Sequence, residues 1–246
     1  MRYLLVIYRF IFFCVYTARI VAEVYWQRVW LRARMQRVMA VRRRWANKVL
    51  AGVGVRASVE GIPPEFPCLY LANHRSYLDP ILLLRQIYAY PVAKSELASW
   101  PLIGKGARWA GILYVQRERD GSRVSTLKAI ADTVLERKCS VILFPEGTTS
   151  GLPGMLPLKK GAFRTAAKWD LPVVPVAICF ENTDDFWVGK TTFIQHAWKR
   201  FQDKTIRVTI CYGPVTTGKD SDALEQEARQ WIEQKLQQFP AVLNPA

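Results

Sequence analysis

Leu71-Ala72-Asn73-His74-Arg75-Ser76-Tyr77-Leu78-Asp79 lies between a short apolar run, Cys68 to Ala72, and an apolar stretch that opens at Pro80. The first reads as a buried strand and the second as a helix, with Asp79 as its N-cap and Pro80 at N1. His74, one of two histidines in the chain, therefore occupies a strand-to-helix turn. In α/β proteins ligands bind at that junction. On a regular helix two residues five apart point about 140° away from each other, at 3.6 residues per turn. A bend removes this obstacle and lets the Asp79 carboxylate return to an imidazole nitrogen. A carboxylate on Nδ1 fixes the tautomer, stabilises the imidazolium and leaves Nε2 free to take a proton from an alcohol. No serine or cysteine need be acylated if the substrate already carries an activated acyl group. The plainer alternative is that Asp79 simply caps the helix and His74 is a hydrogen-bonded surface group.

Outward from this turn, strand, turn and helix alternate. Apolar runs at 55–60, 68–72, 91–94, 112–116, 140–144, 173–180 and 205–212 read as strands, and 123–137 and 159–168 as helices between them. That order predicts an α/β fold, a mostly parallel sheet flanked by helices. A polar amphipathic helix at 223–238 closes the chain, with Asp222 placed to cap it. Residues 181–204 give no clear element. Their aromatic residues suit an acyl groove or a lipid contact, and His196 among them reads as a surface or satisfied histidine.

Before residue 53 the composition changes. Residues 3–22 are almost wholly apolar and aromatic, interrupted by Arg9 and Arg19. About 20 such residues suffice to span a bilayer, and Arg9 could snorkel, so a spanning helix and a shallow in-plane one both fit. Residues 24–50 place Leu31, Met35, Val38, Val41, Trp45 and Val49 at helical spacing amid dense arginine. This reads as a basic amphipathic helix on an anionic membrane surface, with Trp26 and Trp30 at the headgroup level. The alternative is a solvated helix packed on the rest of the protein. The arginine excess places this side in the cytoplasm, at the inner membrane. The expected division is a membrane-associated helical segment at 1–52 and a catalytic domain at 53–246.

A net charge of +15 calls for anionic partners. Phospholipid headgroups and an acidic co-substrate fit; nucleic acid is not expected, since no zinc spacing or RNA-binding signature accompanies the charge. The five cysteines form no C-x-x-C pair and mostly sit in or beside predicted strands, as reduced buried thiols would.

The motifs as a set resemble those of the glycerolipid acyltransferases, the family that includes 1-acyl-sn-glycerol-3-phosphate acyltransferase. NHRSYLD is similar to the family's histidine, four residues, aspartate signature. Lys94-Ser95-Glu96-Leu97 with Trp100-Pro101-Leu102-Ile103-Gly104 resembles a second block, and Gly111 to Arg117 the strand that ends in a substrate-binding arginine. Phe144-Pro145-Glu146-Gly147-Thr148-Thr149-Ser150 resembles a third block, and Leu171 to Ala177 a fourth. The resemblance implies His74 and Asp79 as catalytic residues. It implies Arg117, Glu146, Gly147, Thr148 and Thr149 as the acceptor site, a thioester of coenzyme A or acyl carrier protein as acyl donor, a lysolipid as acceptor, and no metal or cofactor. One departure stands out. Thr149 occupies the place where many members that use a phosphate-bearing acceptor have arginine, so Arg117, Lys159 or Lys160 would have to compensate, or the acceptor would be lyso-ornithine lipid or another lysophospholipid. Two other readings remain from the residues themselves: a non-catalytic basic membrane-binding protein, and a hydrolase using water in place of the lysolipid.

Overall fold

The computed structural model describes residues 2–95, 104, 106, 109–115 and 120–242. Within them a seven-stranded sheet has the order β1-β7-β6-β2-β5-β3-β4. Its strands are β1 (Val55–Glu60), β2 (Leu69–Ala72), β3 (Ala89–Lys94), β4 (Leu113–Val115), β5 (Ser140–Leu143), β6 (Val173–Phe180) and β7 (Ile206–Tyr212). All neighbours pair in parallel except β6 and β7. The helices are α1 (Arg2–Val29), α2 (Met35–Gly52), α3 (Asp79–Gln86), α4 (Asp120–Leu135), α5 (Gly161–Trp169), α6 (Phe193–Arg200) and α7 (Ser221–Gln238).

The apolar strands are continuous because both faces of the sheet are covered. On β2 and β6, Tyr70, Ala72, Val174, Val176 and Ile178 face a core shared with Leu50, Leu82 and Leu83 of α2 and α3. Leu69, Leu71, Val173 and Ala177 face the other core, with Ile130, Phe163 and Ile232 of α4, α5 and α7. β2 is central, and the chain returns from the β3–β4 side through β5 before crossing to β6. The parallel β2 and β5 therefore end side by side at this change of direction, and the loops after them share one crevice.

The N-terminal segment differs from the expected pair of helices. α1 runs on to Val29, and the break falls at residues 30–34, where Arg32 has a positive φ of 45°. α2 packs its apolar side against α1, α3 and β1 and buries Val38, Val41, Ala46, Val49 and Leu50. Hence that side of α2 meets protein, not lipid, and the packed-helix alternative holds for it. Arg9 does not snorkel. It is 4% exposed and donates to the carbonyls of Phe201, Asp203 and Lys204.

Two further expectations change. The cap of α7 is Asp220, which accepts from the Asp222 and Ala223 N–H groups. The stretch 181–204 contains α6, opened by a reciprocal capping box between Thr192 and Gln195.

Candidate active site

β2 ends at Ala72, and Asn73 continues its pairing through a side chain. The Asn73 amide donates to the Ile178 carbonyl at 3.0 Å and accepts the Ile178 N–H at 2.7 Å. The backbone then turns away from the sheet at His74. Two contacts clamp that residue's main chain: its N–H donates to Glu146 Oε1 at 2.8 Å, and its carbonyl accepts the Ser150 N–H at 3.0 Å. The imidazole stacks on Phe144, with ring centroids 4.3 Å apart.

Asp79 meets His74 across the turn. Its Oδ2 accepts from His74 Nδ1 at 2.7 Å, from the Arg75 N–H at 2.6 Å and from the Ser76 N–H at 2.8 Å. Asp79 is the first residue of α3, the N-cap is Leu78, and no side chain caps the helix. The carboxylate thus points back into the turn, against the expectation that it serves as the N-cap. With Oδ2 an acceptor, Nδ1 carries the proton and Nε2 keeps its lone pair. Asp79 is fully buried and His74 retains 22% side-chain exposure, so the pair presents one basic nitrogen outward.

That nitrogen belongs to a residue lining a cavity of about 1140 Å³. Its lining combines apolar residues of the first three helices, among them Ile20, Trp45, Val49, Ile81 and Leu84, with Gly147, Thr148 and Thr149 of the loop after β5 and Lys159, Lys160 and Arg164 at the start of α5.

The residues expected to hold an acceptor divide. Gly147 takes a left-handed φ of 76° that a side chain would strain, and Thr148 is exposed in the cavity wall. Thr149 turns its hydroxyl to the Trp187 carbonyl at 2.5 Å, tying this loop to the segment before α6. Glu146 is 5% exposed, and its carboxylate binds two backbone N–H groups, those of His74 and Leu156 (2.9 Å). It therefore holds the His74 main chain and the loop after it, which fits the shaping role among those expected of it. Burial raises its pKa above the ordinary carboxyl value, against the lowering effect of those N–H donors and of Arg75. Arg117 and most of the second block, residues 96–103, lie outside the described residues.

Sequence reasoning missed Arg75. Its buried guanidinium donates to the Ser150 and Gly154 carbonyls, both at 2.9 Å, and lies over the Phe186 ring. It thereby holds the loop of residues 150–154 to the catalytic turn. Its position inside the His74 to Asp79 motif was the available signal. His196 is satisfied, but buried rather than at the surface. Its Nε2 faces the carbonyls of Asp184 and Phe186, so it must carry the proton, and its Nδ1 accepts from the Tyr77 hydroxyl at 3.3 Å. Among the described residues it has no carboxylate partner, and burial lowers its pKa.

The site is thus a histidine–aspartate turn at the carboxyl edge of a mostly parallel sheet, beside a loop of glycine and hydroxyl residues. The acyltransferase family model matches residues 55–179, and the chain belongs to that family. It is 33% identical over 142 residues to 1-acyl-sn-glycerol-3-phosphate acyltransferase alpha of Homo sapiens, covering 56% of this chain and 50% of that protein. It is 37% identical over 182 residues to 1-acyl-sn-glycerol-3-phosphate acyltransferase BAT2, chloroplastic, of Brassica napus, covering 72% and 49%. The matched region thus spans about half the length of these curated relatives. The Neisseria meningitidis 1-acyl-sn-glycerol-3-phosphate acyltransferase is 28% identical over 198 residues, 77% of this chain and 75% of that one. The crystal structure of the 1-acyl-sn-glycerophosphate (LPA) acyltransferase PlsC from Thermotoga maritima shares the fold, with a TM-score of 0.77, 21% identity and full coverage of both chains.

Proposed function

We propose that this chain is a membrane-associated O-acyltransferase that acylates the free hydroxyl of 1-acyl-sn-glycerol-3-phosphate to give phosphatidic acid, using a thioester of coenzyme A or acyl carrier protein. The observation that carries this reading is the His74–Asp79 pair, 2.7 Å apart, with no hydrogen bond to Nε2 among the described residues, on a residue that lines a cavity of mixed polarity. Nε2 takes the proton of the acceptor hydroxyl as its oxygen attacks the thioester carbonyl. The tetrahedral intermediate collapses, the carbon–sulfur bond breaks, and the departing thiolate takes the proton from the imidazolium. Asp79 stabilises that imidazolium and holds its tautomer. A general base placed in this way gives about 10² to 10⁴ in rate. The apolar part of the lining suits a fatty chain, and the polar and basic residues suit a headgroup. The names of the relatives support the same acceptor.

Membrane association rests on α1. Val6, Arg9, Thr17, Ile20 and Val24 are buried on one side of the helix. Tyr3, Leu4, Ile7, Tyr8, Ile11, Val15, Trp26 and Trp30 are exposed. The packing of one side of α1 on the protein favours a helix lying in the interface plane over one that spans the bilayer. The arginines that follow favour the cytoplasmic face.

The test is to incubate the purified protein with labelled acyl donors and a panel of lysolipids and to weigh the products. Phosphatidic acid from lysophosphatidic acid is expected. Free fatty acid as the sole product would replace the reading with hydrolysis.

A further inference from the structure

α6 reverses the usual arrangement of a surface helix. The side chains it turns inward are polar or small: His196, Ala197 and Arg200 are buried. His196 is held by Tyr77 and the carbonyls of Asp184 and Phe186, and Arg200 by Asp185 and Asp203. Its outer side carries Ile194 and Trp198, one helical turn apart and 65% and 39% exposed. Either alone would carry no meaning. Both, however, adjoin α1. The Trp198 ring lies against Phe10 of α1, with centroids 5.7 Å apart, and Phe10 meets Phe201 at the same distance. On α1, Tyr3, Ile7 and Ile11 are exposed in one stripe with Phe10. The exposed apolar residues of the two helices therefore form one face, joined across the Phe10–Trp198 contact. Lys190, Lys199 and Lys204, before, within and after α6, are exposed, with Lys199 3.6 Å from Asp184. The cavity passes behind the same pair of helices: Phe13 of α1 lines it, as do Phe193, the first residue of α6, and Phe201, just past its last.

We propose that α6 is a second membrane-contacting helix, which presents this apolar, lysine-edged face to an anionic lipid bilayer together with α1. The inference rests on the membrane reading of α1 given above and extends it to an element nearly two hundred residues away in the chain. Lipid is the occupant that both parts of the face suit. Ile194 and Trp198 reach the boundary between headgroups and acyl chains, where an indole settles with its apolar body in and its N–H in the wet layer. The lysines meet anionic headgroups. With both helices seated, the bilayer covers the seam between them. A lysolipid that leaves the bilayer through this seam enters the cavity that His74 lines without its fatty chain crossing water.

The full chain is tested on vesicles of phosphatidylcholine with and without phosphatidylglycerol. An environment-sensitive fluorophore is attached at Ile194→Cys, in a background with Cys14 and Cys139 changed to serine, the other three cysteines being buried. Vesicles with phosphatidylglycerol should shift its emission to the blue, and a quencher carried on the lipid chains should dim it. The same label at exposed position 226 of α7, a helix packed on the opposite face of the sheet, should not respond. Ile194→Glu and Trp198→Ser should each weaken vesicle binding about tenfold, the scale of withdrawing one large apolar side chain from lipid. Ile194→Glu should leave the melting temperature unchanged, and should acylate a dispersed short-chain lysophosphatidic acid at the unaltered rate while losing activity on lysolipid held in vesicles. A label at 194 that stays in water while the chain sediments with vesicles overturns the inference and leaves the reading of α1 standing. Ile194→Glu that binds vesicles as tightly as the unaltered protein overturns it too, and a lipid-free dimer broken by Ile194→Glu would give the face to a second copy of the chain instead. The fluorescence and binding measurements need no turnover, so they decide the matter whether or not a lysolipid is acylated.

Discussion

Replacing Asp79 with asparagine removes one charge from the catalytic pair and little else. The acceptor role of Oδ2 is fixed by three donors, His74 Nδ1 and the N–H groups of Arg75 and Ser76. The asparagine carbonyl must therefore take that place, and its amide group must take the place of Oδ1. Oδ1 is buried and has no hydrogen-bond partner among the described residues. Two buried N–H donors would then lie where no acceptor waits, at a cost of about 1–3 kcal/mol for the unsatisfied group. His74 keeps its tautomer and its stacking on Phe144 but loses the negative charge that stabilises the imidazolium. Activity should fall by about 10² to 10⁴, the range of general-base assistance, while the protein stays folded and membrane-bound. Urea unfolding followed by tryptophan fluorescence measures the first effect, and the rate of phosphatidic acid formation under saturating donor measures the second. His74→Ala should lose activity to a similar extent, and the double variant should be no slower than the worse single one, because the two side chains act as a unit. Asp79→Asn within about threefold of the unaltered rate would defeat the mechanism; so would losses that multiply in the double variant.

Glu146→Gln should lower kcat by loosening the His74 backbone, and it carries a pH signature. Burial raises the Glu146 pKa above its ordinary 4.5, so between those values the folded protein holds the proton more tightly than the unfolded chain. The contribution to stability is present below the ordinary value and is lost as pH rises through the raised one. The melting temperature of the glutamine variant, relative to the unaltered protein, should climb with pH across that window, and a constant difference would contradict the assignment. Asn73→Ala leaves the Ile178 N–H and carbonyl without their partners, and should destabilise by about 1–3 kcal/mol per unsatisfied group, measured by denaturant titration. For α1, spin labels on single cysteines at positions 4, 15 and 26 should all report the same shallow depth in anionic vesicles. A label at 15 found near the bilayer centre would show a spanning helix instead.

The sheet and the catalytic turn were legible in the sequence because they depend on local pattern. A strand buried on both faces is an apolar run wherever it occurs, and a histidine between such a run and an Asp-Pro helix start marks a strand-to-helix bend. What could not be read is what each polar group finds in the folded chain. Asp79 could serve as a cap or as a partner of His74, and only the closure of the turn, with the Arg75 and Ser76 N–H groups aimed at its Oδ2, decides between them. Glu146 carries the same lesson, since nothing near it in sequence says that its carboxylate will meet the N–H of a residue 72 positions away. By contrast, α6 could have been found: Thr192 followed three residues later by Gln195 is a capping signal, obscured by the surrounding aromatic residues.

The same reasoning changes the meaning of the positive charge. Four arginines are buried among the described residues: Arg9, Arg42, Arg75 and Arg200. Arg200 pairs with Asp185 and Asp203 in the usual way. The other three are satisfied largely by main-chain carbonyls. Arg9 binds those of residues 201–204, Arg42 those of Ala89 and Ala110, and Arg75 those of Ser150 and Gly154. Each joins two segments that the sheet itself does not hold together: α1 to the turn after α6, α2 to residues beside β3 and β4, and the turn at His74 to the loop of residues 150–154. A guanidinium suits this work because its five N–H groups are fixed in a plane and it keeps its charge even when burial lowers its pKa, to about 10 for Arg42. The charge of Arg9 and Arg42 therefore does not draw α1 and α2 to lipid. It fastens them to the acyltransferase fold, and the proposed membrane contact rests on the exposed arginines and the apolar outer side of α1.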